Sequence, residues 1–286
     1  MSKVIYSLIV LLSCEFWFPT LVQAGEDSLL LGIFPRRNAK VTFRMFKPMA
    51  EYLSVRTGKK VKIVTAKNFP VFWTNVMKSK YDIVHYNQLH YIESHKKLGY
   101  QVIAQNKEFA ANDIRSALIV RKDSGINSIK DLKGKTVLFG GGKKAFVSYV
   151  VNAVAMQHAG LTKSDYITQF AKNPPNAAIA TYLKQVDAAG IGDVILKIPL
   201  LKQKGVDVSK LKIISLSNPL PHLPWAVNKS MNKKVKQLIQ KAMLNLNDSP
   251  EGLAILKKAG MTGLRIADDN HYDSSRKIID EFNAIK

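Results

Sequence analysis

Leu29-Leu30-Leu31-Gly32-Ile33-Phe34, closed by Pro35, is an uninterrupted apolar run of the length a buried strand takes. The residues after it decide the fold. Phe43, Phe46, Ala50 and Leu53 recur at three- and four-residue spacings, which puts them on one face of a helix that Gly58 ends. Val61 to Ala66 alternates and predicts a second strand. Phe69 to Lys80 then reads as helix, Tyr81 to Tyr86 as strand, Gln88 to Gly99 as a short helix, and Gln101 to Gln105 as strand. A strand-helix unit repeated in this way implies a parallel sheet covered by helices on both faces.

Around Asn112 to Ser116 the pattern resets. Ser116 to Val120 predicts a strand, Ser128 to Leu132 a short helix and Thr136 to Phe139 another strand. Gly140-Gly141-Gly142 opens a helix running to about His158. A helix near Asn176 to Lys184 and the strand Asp187 to Ile191 complete a second α/β unit. Lys212 to Leu216 is strand-like, and Pro219, Pro221 and Pro224 predict a rigid connection after it. The remainder reads as helical: Lys233 to Leu246, Pro250 to Lys258 and Tyr272 to Phe282. The expectation is two α/β lobes joined by two crossings near residues 113 and 219. One lobe takes residues 25–113 plus 220–286, with the second, 114–219, inserted. In open α/β sheets ligands sit beyond the carboxyl ends of the strands. Two facing lobes put those ends in one cleft, and two crossings let it close.

Residues 1–24 read as an export signal, with Lys3, the apolar Val4 to Ser13, and Val22-Gln23-Ala24 at a cleavage site. Leu11-Leu12-Ser13-Cys14 is also similar to a lipobox, so two readings stand: cleavage after Ala24, or lipid attachment at Cys14. Cys14 is the single cysteine, which leaves no disulfide for the folded body. The chain of 286 residues carries a formal charge of +22. Its lysines are scattered singly and in pairs, which suits solvated helix faces and argues against a nucleic-acid footprint.

Several segments together carry a family resemblance: Phe46-Lys47-Pro48-Met49-Ala50-Glu51-Tyr52-Leu53, Tyr81-Asp82-Ile83-Val84, Ser128-Ile129-Lys130-Asp131-Leu132-Lys133-Gly134-Lys135, Asp187-Ala188-Ala189-Gly190-Ile191 and Asp248-Ser249-Pro250-Glu251-Gly252. In that order the chain resembles the phosphate/phosphite/phosphonate-binding proteins of ABC importers, the PhnD-like family. The resemblance implies a class II periplasmic-binding-protein fold and a monomeric receptor with no cofactor and no chemistry of its own. It implies a small anionic ligand held in the interlobe cleft, a permease in the inner membrane as partner, and a place in the periplasm. The rival readings are a sensing receptor for a membrane signalling protein and an enzyme on the same fold. A porphyrin-pathway deaminase of that fold needs a cofactor-bearing cysteine.

The resemblance also implies a site. Where the family has a Ser-Thr-Ser-Gly loop at a helix N-terminus, this chain has Gly140-Gly141-Gly142-Lys143-Lys144-Ala145-Phe146-Val147-Ser148. The loop is either an anion cradle, with Lys143 or Lys144 adding charge, or a glycine turn with two solvated lysines. A family tyrosine falls at Phe69. Another matches Tyr91, with Asn87 and His90 nearby, and is either a ligand donor or a core residue. Asp193 is the nearest candidate for a family carboxylate. Phe69, Phe72, Trp73 and Phe146 are either core or the walls of a more apolar pocket than the family's. His85, His90 and His95 are spaced so that they do not stack on one helix face, which argues against a metal site. No Ser-His-Asp pattern or phosphate-binding loop is recognisable.

Overall fold

A computed structural model describes residues 28–108 and 112–285. The expected export signal and Cys14 lie outside these residues. The chain opens with β1 (Leu29–Ile33), α1 (Ala39–Thr57), β2 (Val61–Val64), α2 (Phe69–Met77), β3 (Ile83–His85), α3 (Gln88–Leu98) and β4 (Gln101–Lys107). Helix α1 starts where Asn38 Oδ1 accepts from the Val41 N–H at 2.9 Å, and stops at Gly58 in the left-handed region, φ 66°. Its buried face is Thr42, Phe46, Met49, Ala50 and Leu53. Phe43, expected on that face, is instead 47% exposed.

The chain next passes through the two-residue strand β5 (Asp113–Ile114) into a second unit. This holds β6 (Ser116–Arg121), β7 (Thr136–Gly140), α4 (Val151–His158), β8 (Ile167–Ala171), α5 (Pro174–Tyr182), β9 (Ala188–Gly192), α6 (Pro199–Gln203) and β10 (Leu211–Leu216). It leaves through β11 (Leu220–Pro221), which pairs antiparallel with β5, Leu220 opposite Ile114. The two crossings are thus hydrogen-bonded to each other. The chain ends with β12 (Pro224–Val227), α7 (Lys233–Asn245), α8 (Pro250–Lys258), β13 (Gly263–Ile266) and α9 (Asp273–Ala284).

The two large sheets run β13-β4-β12-β3-β1-β2 and β10-β6-β9-β7-β8. Strand β1 is parallel to β2 and β3, and β7 to β8 and β9. Neither sheet is the purely parallel one expected. Strand β12 lies antiparallel between β3 and β4, β13 lies antiparallel on β4, and β6 and β10 are antiparallel as well. The proline-rich stretch read as a connection therefore contains a central strand, and the C-terminal region is not wholly helical. Pro224 heads β12, a position where a missing N–H is tolerated. Trp225 after it is fully buried, stacks on His85 at 4.2 Å, and donates from Nε1 to Asn106 Oδ1 at 2.8 Å.

One core joins Leu31, Met49, Leu53 and Ile83 to Ile239 and Leu256, fixing α1, α7 and α8 on the first sheet. A second joins Ala117, Ile119, Ala177 and Leu201. The third runs from Phe72 and Tyr86 through Tyr91 and Tyr272 to Phe139 and Tyr149. Helix α9 lies on this seam, against α3 on one side and α4 on the other. It therefore does not return wholly to the first unit as its sequence position suggests. Tyr149 meets Phe282 at 5.5 Å, and Tyr91 meets Tyr272 at 5.0 Å.

Candidate functional site

A cavity of about 400 Å³ lies between the sheets, at the carboxyl ends of their parallel strands. Phe34 and Arg36 reach it from the end of β1, Phe69 and Trp73 from α2, and Asn87, Gln88 and His90 from the end of β3. The opposite side is residues 140–148 after β7, Lys172 to Pro174 after β8, and Gly192, Val194 and Ile195 after β9. Ile114 and Leu223 line it beside the crossings.

Helix N-termini converge here because each parallel strand turns directly into a helix. Asn68, Asn87 and Asn173 cap α2, α3 and α5, each Oδ1 accepting the N–H three residues on at 2.9 to 3.0 Å. The fourth is the π-helical turn Phe146–Val150 that runs into α4. The first N–H groups of a helix have no acceptor within it, and the peptide dipoles add positive potential at that end. Pro174 and Pro175 remove two of these donors from α5. The turn from Phe146 keeps all of its own.

The glycine loop is shaped by contact as well as by flexibility. A Cβ on Gly140 would lie 2.3 Å from Pro174 Cα, so glycine is what lets the loops after β7 and β8 close together. Gly141 sits at φ 108°, which side-chain-bearing residues avoid, and its N–H donates to Ala171 O at 2.9 Å. Arg36, Lys143, Lys144 and Lys172 line the cavity, and none of the described lining residues is acidic. Ser148 brings the lining its one side-chain hydroxyl among those residues.

The structure gathers most of the expected residues but gives several of them other duties. Lys144 points across the cleft. Its Nζ lies 2.6 Å from Glu93 Oε2 and 4.7 Å from the centre of the Trp73 ring, and its backbone oxygen accepts from Asn87 Nδ2 at 2.9 Å. Lys143 is the exposed cation left on the loop. Asn87 lines the cavity, but both ends of its amide are engaged, one in the α3 cap and one on the loop. Phe69 lines the cavity as expected, joined by Trp73 and Phe146. Phe72 is buried in the core instead.

Tyr91 does not line the cavity. It is fully buried, and its hydroxyl donates to Asp269 Oδ1 at 2.6 Å. Burial and the Asp269 carboxylate push that hydroxyl well above the usual tyrosine range. Asp193 also has another role. Its Oδ1 accepts from the Arg115 N–H at 3.0 Å, tying the end of β9 to the start of β6, while its neighbours Gly192 and Val194 face the cavity. His90 lines the cavity and is 1% exposed. Desolvation, with the Lys144 cation second, lowers its pKa to about 3, so the ring is neutral. It stacks on Trp73 at 4.8 Å, and its Nδ1 has no partner among the described residues.

Sequence reasoning missed Phe34, Arg36, Gln88, Lys172 and Asn173 as cavity residues. The last two come after β8, a strand not recognised. The available signal was Asn173-Pro174-Pro175, a capping residue with prolines after it at a helix start.

The sequence matches the family described as ABC transporter, phosphonate, periplasmic substrate-binding protein over residues 31–272. The phosphonates-binding periplasmic protein of Escherichia coli (strain K12) is 26% identical over 269 residues, covering 92% of this chain and 78% of that protein. Among solved structures, the binding protein component of an ABC phosphonate transporter from Pseudomonas aeruginosa superposes with a TM-score of 0.77 at 20% identity, over 90% of this chain and 87% of that one. A protein from Prochlorococcus marinus in complex with methylphosphonate gives 0.78 at 17% identity, over 91% and 100%. At these identities the structures establish the fold, that of the type II periplasmic binding proteins.

Proposed function

The chain belongs to the family of periplasmic phosphonate-binding components of ABC transporters, and from that premise we propose that it captures a phosphonate-type oxyanion between its two sheets and presents it to the permease. One observation carries the reading. Helix N-termini from both sheets meet at a cavity lined by four cations and, among the described lining residues, no carboxylate. Unpaired N–H donors with cations nearby suit a compact anion, whereas a cation there would find no counter-charge. The donors a Ser-Thr-Ser-Gly loop supplies in the family are replaced by backbone N–H groups at the Phe146 turn, the Ser148 hydroxyl and Lys143.

In this reading residues 1–24 direct export and are removed. The lobes are residues 25–113 with 220–286, and 114–219. They move about the β5–β11 ribbon, where the two crossings pair, with α9 packed beside it on both units. Charge-assisted hydrogen bonds contribute roughly 1.5–3 kcal/mol each, so Lys143→Ala should weaken binding by about ten- to a hundredfold. Calorimetry with methylphosphonate on the chain starting at Gly25 tests this, with Lys257→Ala as a distant control. Equal affinities for both variants would remove the loop from the site. No binding to the unaltered chain would refute the ligand class.

A further inference from the structure

The wall that the first sheet gives the cavity is aromatic. Phe34 meets Phe69 edge-on at 6.2 Å, Trp73 lies beside them, and the His90 ring stacks against Trp73 at 4.8 Å. From the other side the loop's Lys144 rests over the face of Trp73 at 4.7 Å, so rings and loop enclose the same space. The glycine loop, the Phe146 turn, Lys143 and Lys172 put most of the anion-suited donors on the second sheet's side, and the first sheet adds Arg36 and the starts of α2 and α3. The cavity is therefore two-faced, polar at the loop and apolar at α2.

We infer that the ligand's group on phosphorus is apolar and uncharged, an aryl or extended alkyl substituent, in place of an aminoalkyl chain or the fourth oxygen of phosphate. This rests on the phosphonate reading above and specifies it. Three features carry it. The cavity of about 400 Å³ is large for a phosphorus headgroup alone; at roughly 30 Å³ per water it matches about a dozen waters. A fourth oxygen set against Phe34, Phe69 and Trp73 would lose its water, and the two cations over those rings, Arg36 on Phe34 and Lys144 on Trp73, are already held by Glu108 and Glu93. An ammonium would be desolvated beside Arg36, Lys143 and Lys172 with no carboxylate among the described lining residues, and Glu93 at the edge of the cleft is already taken by Lys144.

The buried carboxylate of Glu108 is likewise already engaged. Glu108 lines a separate, adjoining cavity of about 230 Å³ on the far side of Arg36. Its Oε1 is held by Arg36 at 3.6 Å and by Asn106 Nδ2 at 3.1 Å. Phe34, Arg36, Asn173, Pro174 and Ile195 line both cavities.

Calorimetric titration of the full chain starting at Gly25 with phenylphosphonate, methylphosphonate, 2-aminoethylphosphonate and inorganic phosphate tests the inference. Phenylphosphonate should bind about tenfold or more tighter than methylphosphonate, given that each buried methylene is worth about fourfold. The aminoethyl compound and phosphate should bind more weakly than methylphosphonate. In Trp73→Ala the phenyl-to-methyl ratio should fall towards one, a readout that a general loss of affinity does not move. Equal affinities across the phosphonates, or tightest binding of the aminoethyl compound, overturn the substituent class and leave the phosphonate reading intact. Phosphate binding as well as phenylphosphonate overturns the inference in the same way. Failure of every phosphonate to bind overturns both.

Discussion

Replacing Glu93 with glutamine keeps the shape of the side chain and removes the charge that Lys144 reaches across the cleft. The pair joins α3 of the first unit to the loop after β7 of the second at 2.6 Å, with side chains 46% and 26% exposed for Lys144 and Glu93. Partly exposed ion pairs contribute about 0.2–1 kcal/mol, and the lysine over the Trp73 ring adds about 0.5–1 kcal/mol that the glutamine variant retains. If the two units close on the ligand as proposed, the clasp forms only in the closed state, and its loss lowers the population of the binding-competent state. Apparent affinity falls by the same factor. Glu93→Gln should therefore weaken methylphosphonate binding by about two- to fivefold. Lys144→Met, which loses both contacts, should weaken it by about three- to thirtyfold. Calorimetry on both single variants and the double variant gives the coupling, expected at about 0.5–1 kcal/mol. It should shrink in 1 M salt without vanishing, because the 2.6 Å pair lies within the roughly 3 Å screening length. If Glu93→Gln has no effect while Lys144→Met costs a hundredfold, and the two effects add, Lys144 grips the ligand and the clasp is wrong.

Tyr91→Phe removes a hydrogen bond to Asp269, a carboxylate also held by Arg276. It should lower unfolding stability by about 1 kcal/mol while methylphosphonate affinity stays within about twofold; a large loss of affinity at unchanged stability would return Tyr91 to the site. Burial lowers the pKa of His85 and of His90 to about 3 in each case, against about 6.5 in an unfolded chain. Between those values the folded state binds fewer protons, so this contribution is complete above about pH 6.5 and is lost as pH falls, by up to about 1.4 kcal/mol per pH unit for each histidine. Urea midpoints from pH 7.5 to 5 should decline less steeply in His90→Phe than in the unaltered chain. Parallel declines would mean that His90 takes up its proton without unfolding.

The first half of the first unit is legible in the sequence because propensity, caps and burial agree there. Asn38 and Gly58 bracket α1, Gly99 ends α3, and Leu31 and Ile83 lie in apolar runs that have nowhere to go but a sheet interior. The later strands are harder for identifiable reasons. Strand β12 begins at a proline and comes after two more, so local chemistry argues against the strand that tertiary pairing with β3 and β4 imposes. Strand β8 is an edge strand whose half-exposed residues, such as Ile167 and Gln169, leave no apolar run. At the site, the glycine loop was readable because Gly140 and Gly141 announce a turn before a helix. The destinations of Tyr91, Lys144 and Asp193 were not, since each depends on a residue far along the chain: Asp269, Glu93 and Arg115. Sequence periodicity separates buried from exposed positions, but it does not say which polar side chains meet.

A crystal structure of the chain grown with saturating methylphosphonate tests the central claim most directly. The account predicts the phosphonate oxygens at about 2.9 Å from N–H donors of the Phe146 turn and from the loop residues before it. Lys143 should lie on the anion, and the methyl carbon should point to Phe34, Phe69 and Trp73. Density for the ligand outside the cleft, or a methyl group directed at the glycine loop with the oxygens against the rings, would contradict it.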